Sequence, residues 1–133
     1  MRVLLDTHVW IWTQEQPQRL GRRAKRLLTG AAHDTTVCPV STLEVSRLVA
    51  AGDIQLSIPL AEWVAQSLAE LNAETVSITH DVAMDAYALP GAFHADPADR
   101  ILVAAARRNG LTLITADDRI LSYAHVRTQD ARR

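Results

Sequence analysis

The sequence predicts a three-layer α/β/α domain built on a mainly parallel central sheet of four to five strands. Short β-branched apolar runs alternate with segments of helical period along the chain, which is the pattern of βαβ units. The connections between runs are long enough for right-handed crossovers, and these place successive strands parallel with helices on both faces. With 133 residues and 48% hydrophobic content, the chain has the size and the apolar material for one core, so residues 1–133 are read as a single domain.

The elements follow in order. Residues 2–5, with Val3, form a first strand, and Thr7 is placed to cap a helix over roughly residues 8–15 before Pro17. Leu20, Ala24, Leu27 and Leu28 recur at helical spacing among Arg22, Arg23, Lys25 and Arg26, giving a second helix that stops near Gly30. Thr35–Val40 reads as a strand feeding Ser41-Thr42-Leu43-Glu44, where a helix begins and runs to Gly52-Asp53. Residues 54–58 alternate apolar and polar side chains before Pro59 and are left unassigned. Trp63, Val64, Leu68 and Leu71 mark a helix over 60–71, followed by a strand at Thr75–Ile78 and a helix from His80 to Leu89. Pro90-Gly91 breaks the chain. Asp96-Pro97 opens a strong helix that stops at Asn109-Gly110. Leu111–Ile114 is a buried-type strand, with a short helix from Ala116 and an edge strand near Val126; residues 129–133 are polar and expected to fray.

Composition excludes several function classes. The apolar runs are all shorter than the roughly 20 residues that span a bilayer, and Val3-Leu4-Leu5 is too short for a secretory leader, so the expected location is cytoplasmic, with no membrane association. Cys38 is the sole cysteine, lies in an apolar run and reads as a small buried hydrophobe, which removes internal disulfides and argues against thiolate metal sites. A net charge of −1 gives no overall attraction to polyanions, so any such ligand needs a local basic patch or bound metal.

Four acids stand where an apolar segment or loop gives way to a helix: Asp6, Glu44, Asp99 and Asp117. In an open parallel sheet these junctions fall along the carboxyl edge, where ligands bind. Each acid taken singly is better explained as a helix cap: Ser41-x-x-Glu44, Asp96-Pro97-Ala98-Asp99 and Thr115-x-x-Asp118 all have capping form. Together they point elsewhere. Asp99 shares a helical stripe with Leu102, Val103 and Ala106, and Glu44 shares one with Leu48 and Ala51, so both face the covered side. Carboxylates at the edge of a core need partners. Arg47 and Arg100 could each supply one salt bridge, but recurrence at several junctions favours a shared hard cation, Mg2+ or Mn2+. Asp118 suits the capping position better than Asp117, which leaves Asp117 to face the crevice. Such a site suits in-line hydrolysis of a phosphodiester.

The apolar start into Asp6-Thr7, Ser41-x-x-Glu44, His94-x-Asp96-Pro97-x-Asp99-Arg100 and Thr115-x-Asp117 together resemble the PIN domain family, specifically its VapC-type toxins. The ordered set covers nearly the whole chain. The resemblance implies a PIN-like fold and a Mg2+- or Mn2+-dependent endoribonuclease in which Asp6, Glu44, Asp99 and Asp117 are the catalytic metal ligands. It also implies an RNA substrate, a cognate antitoxin protein and a homodimer. Asp96 belongs to the same motif as a cap or supporting residue, Thr115 is placed to hold a metal-bound water or an acid, Thr7 serves as a cap or supporting residue, and Arg100 is the expected contact to a substrate phosphate. His8 and His94 lie near the motifs and read as supporting or surface residues. The basic runs at 22–26 and 107–108 read as solvated helix faces. Trp10 and Trp12 cannot both face one core, so one of them is expected to mark a contact surface.

Three other functions fit less well. A haloacid-dehalogenase-like phosphatase needs an aspartate where His8 stands, and a signalling receiver domain needs a late lysine, whereas Lys25 is early. A PIN-like RNA-binding or scaffolding module without hydrolysis is the remaining alternative, and the presence of all four acids argues against it.

Overall fold

Val3, Leu4 and Leu5 are apolar in succession because the strand they form, β1 (Arg2–Leu5), is covered on both faces. The computed structural model describes residues 1–29 and 34–133; the expected helix stop at Gly30, and His33, lie outside them. β1 sits at the centre of a five-stranded sheet with β2 (Asp34–Val37), β3 (Glu74–Thr75), β4 (Thr112–Thr115) and β5 (Thr128–Asp130), in the order β3-β2-β1-β4-β5 with every pairing parallel. The predicted class and strand number are therefore observed.

The twofold period of the strands divides the core in two. Val3, Leu5, Val37 and Ile114 pack with side chains of α1 (Thr7–Glu15), α2 (Arg22–Thr29) and α4 (Leu60–Glu70). Leu4 and Leu113 point the other way, onto α5 (His80–Asp85) and α6 (Pro97–Asn109). α3 (Pro39–Ala50) contributes Val40 to the second cluster and Val45 to the first, so it closes one end of the sandwich. In α6, Leu102 through Ala106 are all fully buried, and three successive alanines let this helix lie close to the sheet. Pro97 opens α6 and Gly110 ends it at φ +65°, a left-handed C-terminal turn that glycine adopts without steric cost.

Several boundaries differ from expectation for tertiary reasons. β3 has only two residues because it is an edge strand, and the chain leaves the sheet at Val76 to reach Thr79, whose hydroxyl caps α5. Residues 54–58 form no regular element and are tied down by Glu15, whose carboxylate accepts from the Ser57 amide at 2.9 Å and its hydroxyl at 3.0 Å. Neither tryptophan of α1 offers a contact surface. Trp10 is fully buried, packs on Trp63 with ring centroids 4.9 Å apart and donates to Ser67 Oγ at 3.0 Å. Trp12 is buried beneath the Arg19 guanidinium, 4.1 Å from its ring.

The C-terminal residues do not fray. The edge strand expected near Val126 forms slightly later, as β5, and Ala131 beyond it is fully buried. The Ala131 amide donates to Thr115 O at 2.8 Å, and its carbonyl accepts from Gly21 at 2.8 Å. Gly21 is required here, since a Cβ would lie 2.1 Å from the Arg133 backbone. Arg132 pairs with Asp130 at 2.9 Å and Asp118 at 3.0 Å, which locks β5 to α7 (Asp118–Leu121). Among the described residues no helix is long and apolar enough to cross a membrane.

Candidate active site

The sheet changes direction of growth at β1: β2 and β3 lie to one side, β4 and β5 to the other. The crevice beyond the carboxyl ends of β1 and β4 is therefore the topological switch point, where open α/β sheets bind ligands. Asp6 follows β1 directly, and its amide is held by Ile114 O of β4 at 3.0 Å. One carboxylate oxygen accepts from the Thr7 amide at 2.7 Å, so Asp6 rather than Thr7 caps α1. The other accepts from the Thr115 hydroxyl at 2.7 Å. That hydroxyl in turn accepts from the Asp117 amide at 3.0 Å, so Thr115 joins the turns after β1 and β4.

α3 starts at Pro39, capped at Cys38 without a side-chain hydrogen bond. The Ser41 capping box is therefore absent, because Ser41 lies inside the helix, fully buried. Its hydroxyl is 3.0 Å from that of Thr7, and Thr7 donates to the Glu44 carboxylate. Freed from a capping role, half-buried Glu44 faces the crevice.

Asp96 caps α6 by accepting from the Asp99 amide at 3.1 Å. Asp99 itself is only 8% exposed, and its carboxylate lies 2.6 Å from His94 Nε2. Asp117, not Asp118, caps α7, and its position corrects the sequence expectation: both of its oxygens are engaged by Arg119. Arg119 donates from its amide at 2.8 Å, from Nε at 3.2 Å and from Nη2 at 2.9 Å. The same Nη2 is 3.7 Å from Asp99.

Electrostatics place these acids in one field. Burial pushes the Asp6 and Glu44 carboxyls above their ordinary values, and the Asp6 charge raises Glu44 further. Asp99 is pushed from 3.8 to about 6, first by burial and then by the charges of Asp6 and Asp96, against the opposing hydrogen bond from His94. Asp117 is held below its usual range, chiefly by the Arg119 hydrogen bonds. A buried group of carboxylates that resists full ionisation is a cost that a divalent cation removes, and the oxygen-rich donors suit a hard ion. Single donor atoms of His94, Asp99 and Asp117 all lie within 4.8 Å of one another. The residues present thus fit Mg2+ or Mn2+.

The raised Asp99 carboxyl has a measurable sign. An acid with a folded-state pKa above its unfolded value destabilises the fold once ionised, so its contribution is intact below 3.8 and lost as the pH climbs to about 6. In chelator, urea unfolding should show the parent losing roughly 1–3 kcal/mol relative to Asp99→Asn across that window. A parent that gained on the variant would mean that the pocket favours the charged carboxylate.

The arginine at the acids is not the one the sequence suggested. Arg100 donates to the carbonyls of His94 at 3.0 Å, Ala86 at 3.1 Å and Phe93 at 2.8 Å, so it clamps the segment before α6 and is spent as a phosphate contact. Arg119 occupies the crevice instead. No sequence period marks it, since it follows Asp117 by two residues in a short turn. His94 was visible in the motif, but only the fold brings its ring onto Asp99. Arg108 is paired with Asp85 at 2.7 Å and Asp81 at 3.8 Å, and Arg107 bonds the His125 carbonyl. Arg22, Arg23, Lys25 and Arg26 line the exposed face of α2.

A sequence model of the PIN domain family matches residues 3–126. Ribonuclease VapC22 of Mycobacterium tuberculosis is 42% identical over 125 residues, covering 94% of this chain and 94% of that protein. Among solved structures, VapBC2 from Rickettsia felis, bound to a DNA fragment from its promoter, aligns over 97% of this chain and 98% of that chain with a TM-score of 0.73 at 12% identity. FitAcB from Neisseria gonorrhoeae aligns over 98% of both chains with a TM-score of 0.64 at 21% identity. These two likenesses concern the fold alone.

Proposed function

This chain belongs to the PIN domain family, and on that premise we propose that it is a metal-dependent endoribonuclease and the toxin of a toxin–antitoxin pair. The observation that carries the reading is the set of carboxylates at the switch point: burial holds Asp6, Glu44 and Asp99 above their ordinary pKa, and the charges of Asp6 and Asp96 raise Glu44 and Asp99 further. Capping accounts for Asp6 alone among the three, whereas a cation site accounts for all of them together.

Asp6, Glu44, Asp99 and Asp117 would hold Mg2+ or Mn2+. When bound, the ion would supply a Lewis acid that neutralises charge on the scissile phosphate and makes water a better nucleophile. The chain supplies the geometry. Thr115 fixes the rotamer of Asp6 and the turn carrying Asp117, while Thr7 fixes Glu44. Arg100 holds the backbone at His94, and His94 orients Asp99. Water would add in line to the phosphorus as the bond to the leaving ribose oxygen breaks, one water proton passing through solvent to that oxygen, so that one RNA end carries the phosphate and the other a hydroxyl.

One solved structure of the same fold is a toxin–antitoxin complex from Klebsiella pneumoniae, with a TM-score of 0.62 at 22% identity over 92% of both chains, and an antitoxin protein is the partner proposed here, together with a second copy of the chain. Leu43 on α3 and Met84 and Tyr87 at α5 are 65% or more exposed, which leaves apolar surface for such contacts. The direct test is cleavage of a mixed RNA pool with Mg2+, Mn2+ or chelator. Chelation is expected to lower cleavage by more than about a hundredfold. Equal cleavage in chelator would refute metal dependence, and a folded, metal-binding protein that cuts no RNA would point to a binding module.

A further inference from the structure

We propose that Arg119 is the substrate-phosphate residue of this site, and that it shares Asp117 with the divalent cation: the ion and the guanidinium compete for that carboxylate, and the displaced Arg119 turns to an RNA phosphate. The inference rests on the reading of the acids as a metal site and adds a residue that the sequence motifs do not contain.

The geometry is specific. The fork of Arg119 covers both oxygens of Asp117 at 3.2 and 2.9 Å, and Nη2 extends to within 3.7 Å of Asp99. A cation using Asp117 must therefore share oxygens that already accept from the guanidinium, and one using Asp99 would stand close to the same positive charge and be repelled by it. Asp117 cannot satisfy both fully. Arg119 is also able to leave: its side chain is 61% exposed and it stands on the short helix α7 at the mouth of the crevice. Arg100, by contrast, is bonded to three carbonyls and has no comparable freedom. Once its carboxylate partner is taken, the closest match for a planar, permanently charged fork is a phosphate, which it can bind through two parallel N–H bonds. The residue is thus positioned to link cation binding to substrate binding within one turn of chain.

The test compares the parent, Arg119→Ala and Arg119→Lys. The first measurement is Mn2+ affinity by titration calorimetry without RNA. The second is KM for a random-sequence single-stranded RNA pool at saturating Mn2+. Arg119→Ala should bind Mn2+ roughly threefold to tenfold more tightly, the worth of an exposed bidentate pair, and should raise KM by a similar factor. Arg119→Lys, which keeps the charge without the fork, should fall between. Unchanged or weaker Mn2+ binding in Arg119→Ala would overturn the inference, because Arg119 would then be only a brace for Asp117. An unchanged KM would overturn it as well. A parent that binds no Mn2+ would refute the metal site itself, an outcome distinct from equal binding by parent and variant.

Discussion

Asp6→Asn and Asp99→Asn should each lower RNA cleavage by more than about a hundredfold, since loss of groups that merely orient metal ligands already costs 10- to 100-fold. Both variants should remain folded. Asparagine at position 6 keeps an oxygen for the Thr7 amide, and the Thr115 hydroxyl can reverse its bond to meet the new amide group. Neutralising Asp6 also removes charge that raises its neighbours, because the Asp6 carboxylate pushes up both Glu44 and Asp99, while neutralising Asp99 removes a carboxylate that burial itself disfavours. Activity should therefore collapse while stability in chelator holds or rises, a combination that a merely structural role for these acids does not produce. The cellular counterpart is growth arrest on expression of the parent, relieved by either substitution. Parent-like cleavage by both variants would mean that these acids are not the catalytic set.

Trp10→Ala should remove about 3–5 kcal/mol of stability, the range for deleting a large buried aromatic. Trp10 is fully buried between the sheet and α4, stacked on Trp63 and bonded to Ser67. A domain of this size is stable by only about 5–15 kcal/mol, so the variant should unfold at much lower urea. Trp10→Phe separates the two contributions. It retains ring packing, and the Ser67 hydroxyl keeps its contact to Val64 O at 3.2 Å, so its cost should be about 1–2 kcal/mol. If Trp10→Ala unfolded at the urea concentration of the parent, α1 could not be the central packing element described here. If Trp10 instead formed a partner surface, its loss would impair association and leave unfolding untouched.

Elements with a strong local signal were legible. α6 carried its own start at Asp96-Pro97 and its own stop at Gly110, and both occur where read. β1 and β4 were recognisable because each carries a short run of adjacent apolar residues, Val3-Leu4-Leu5 and Leu113-Ile114, as a strand buried on both faces requires. β3 and the C-terminal residues were misjudged because their environment is not local. A nominal strand at 75–78 is cut short by its edge position, and a polar tail is ordered by Gly21, more than a hundred residues earlier in the chain. The capping patterns were misleading for the same reason. Ser41-x-x-Glu44 and Thr115-x-x-Asp118 have capping form, yet Ser41 is spent on Thr7, while Thr115 serves Asp6 and the Asp117 amide.

The amino-acid order alone determined a parallel α/β sheet, the junctions at which carboxylates emerge, and the hard-cation chemistry such a group would favour, because hydrophobic period, Pro and Gly act over a few residues. Only the tertiary structure decided which acid caps and which faces the crevice, that His94 meets Asp99, and that Arg119 rather than Arg100 supplies the positive charge there. Those outcomes depend on side-chain directions at the ends of strands distant in sequence, set by the packing of α6 and α7 against β1 and β4 and carrying no period that a single chain can display.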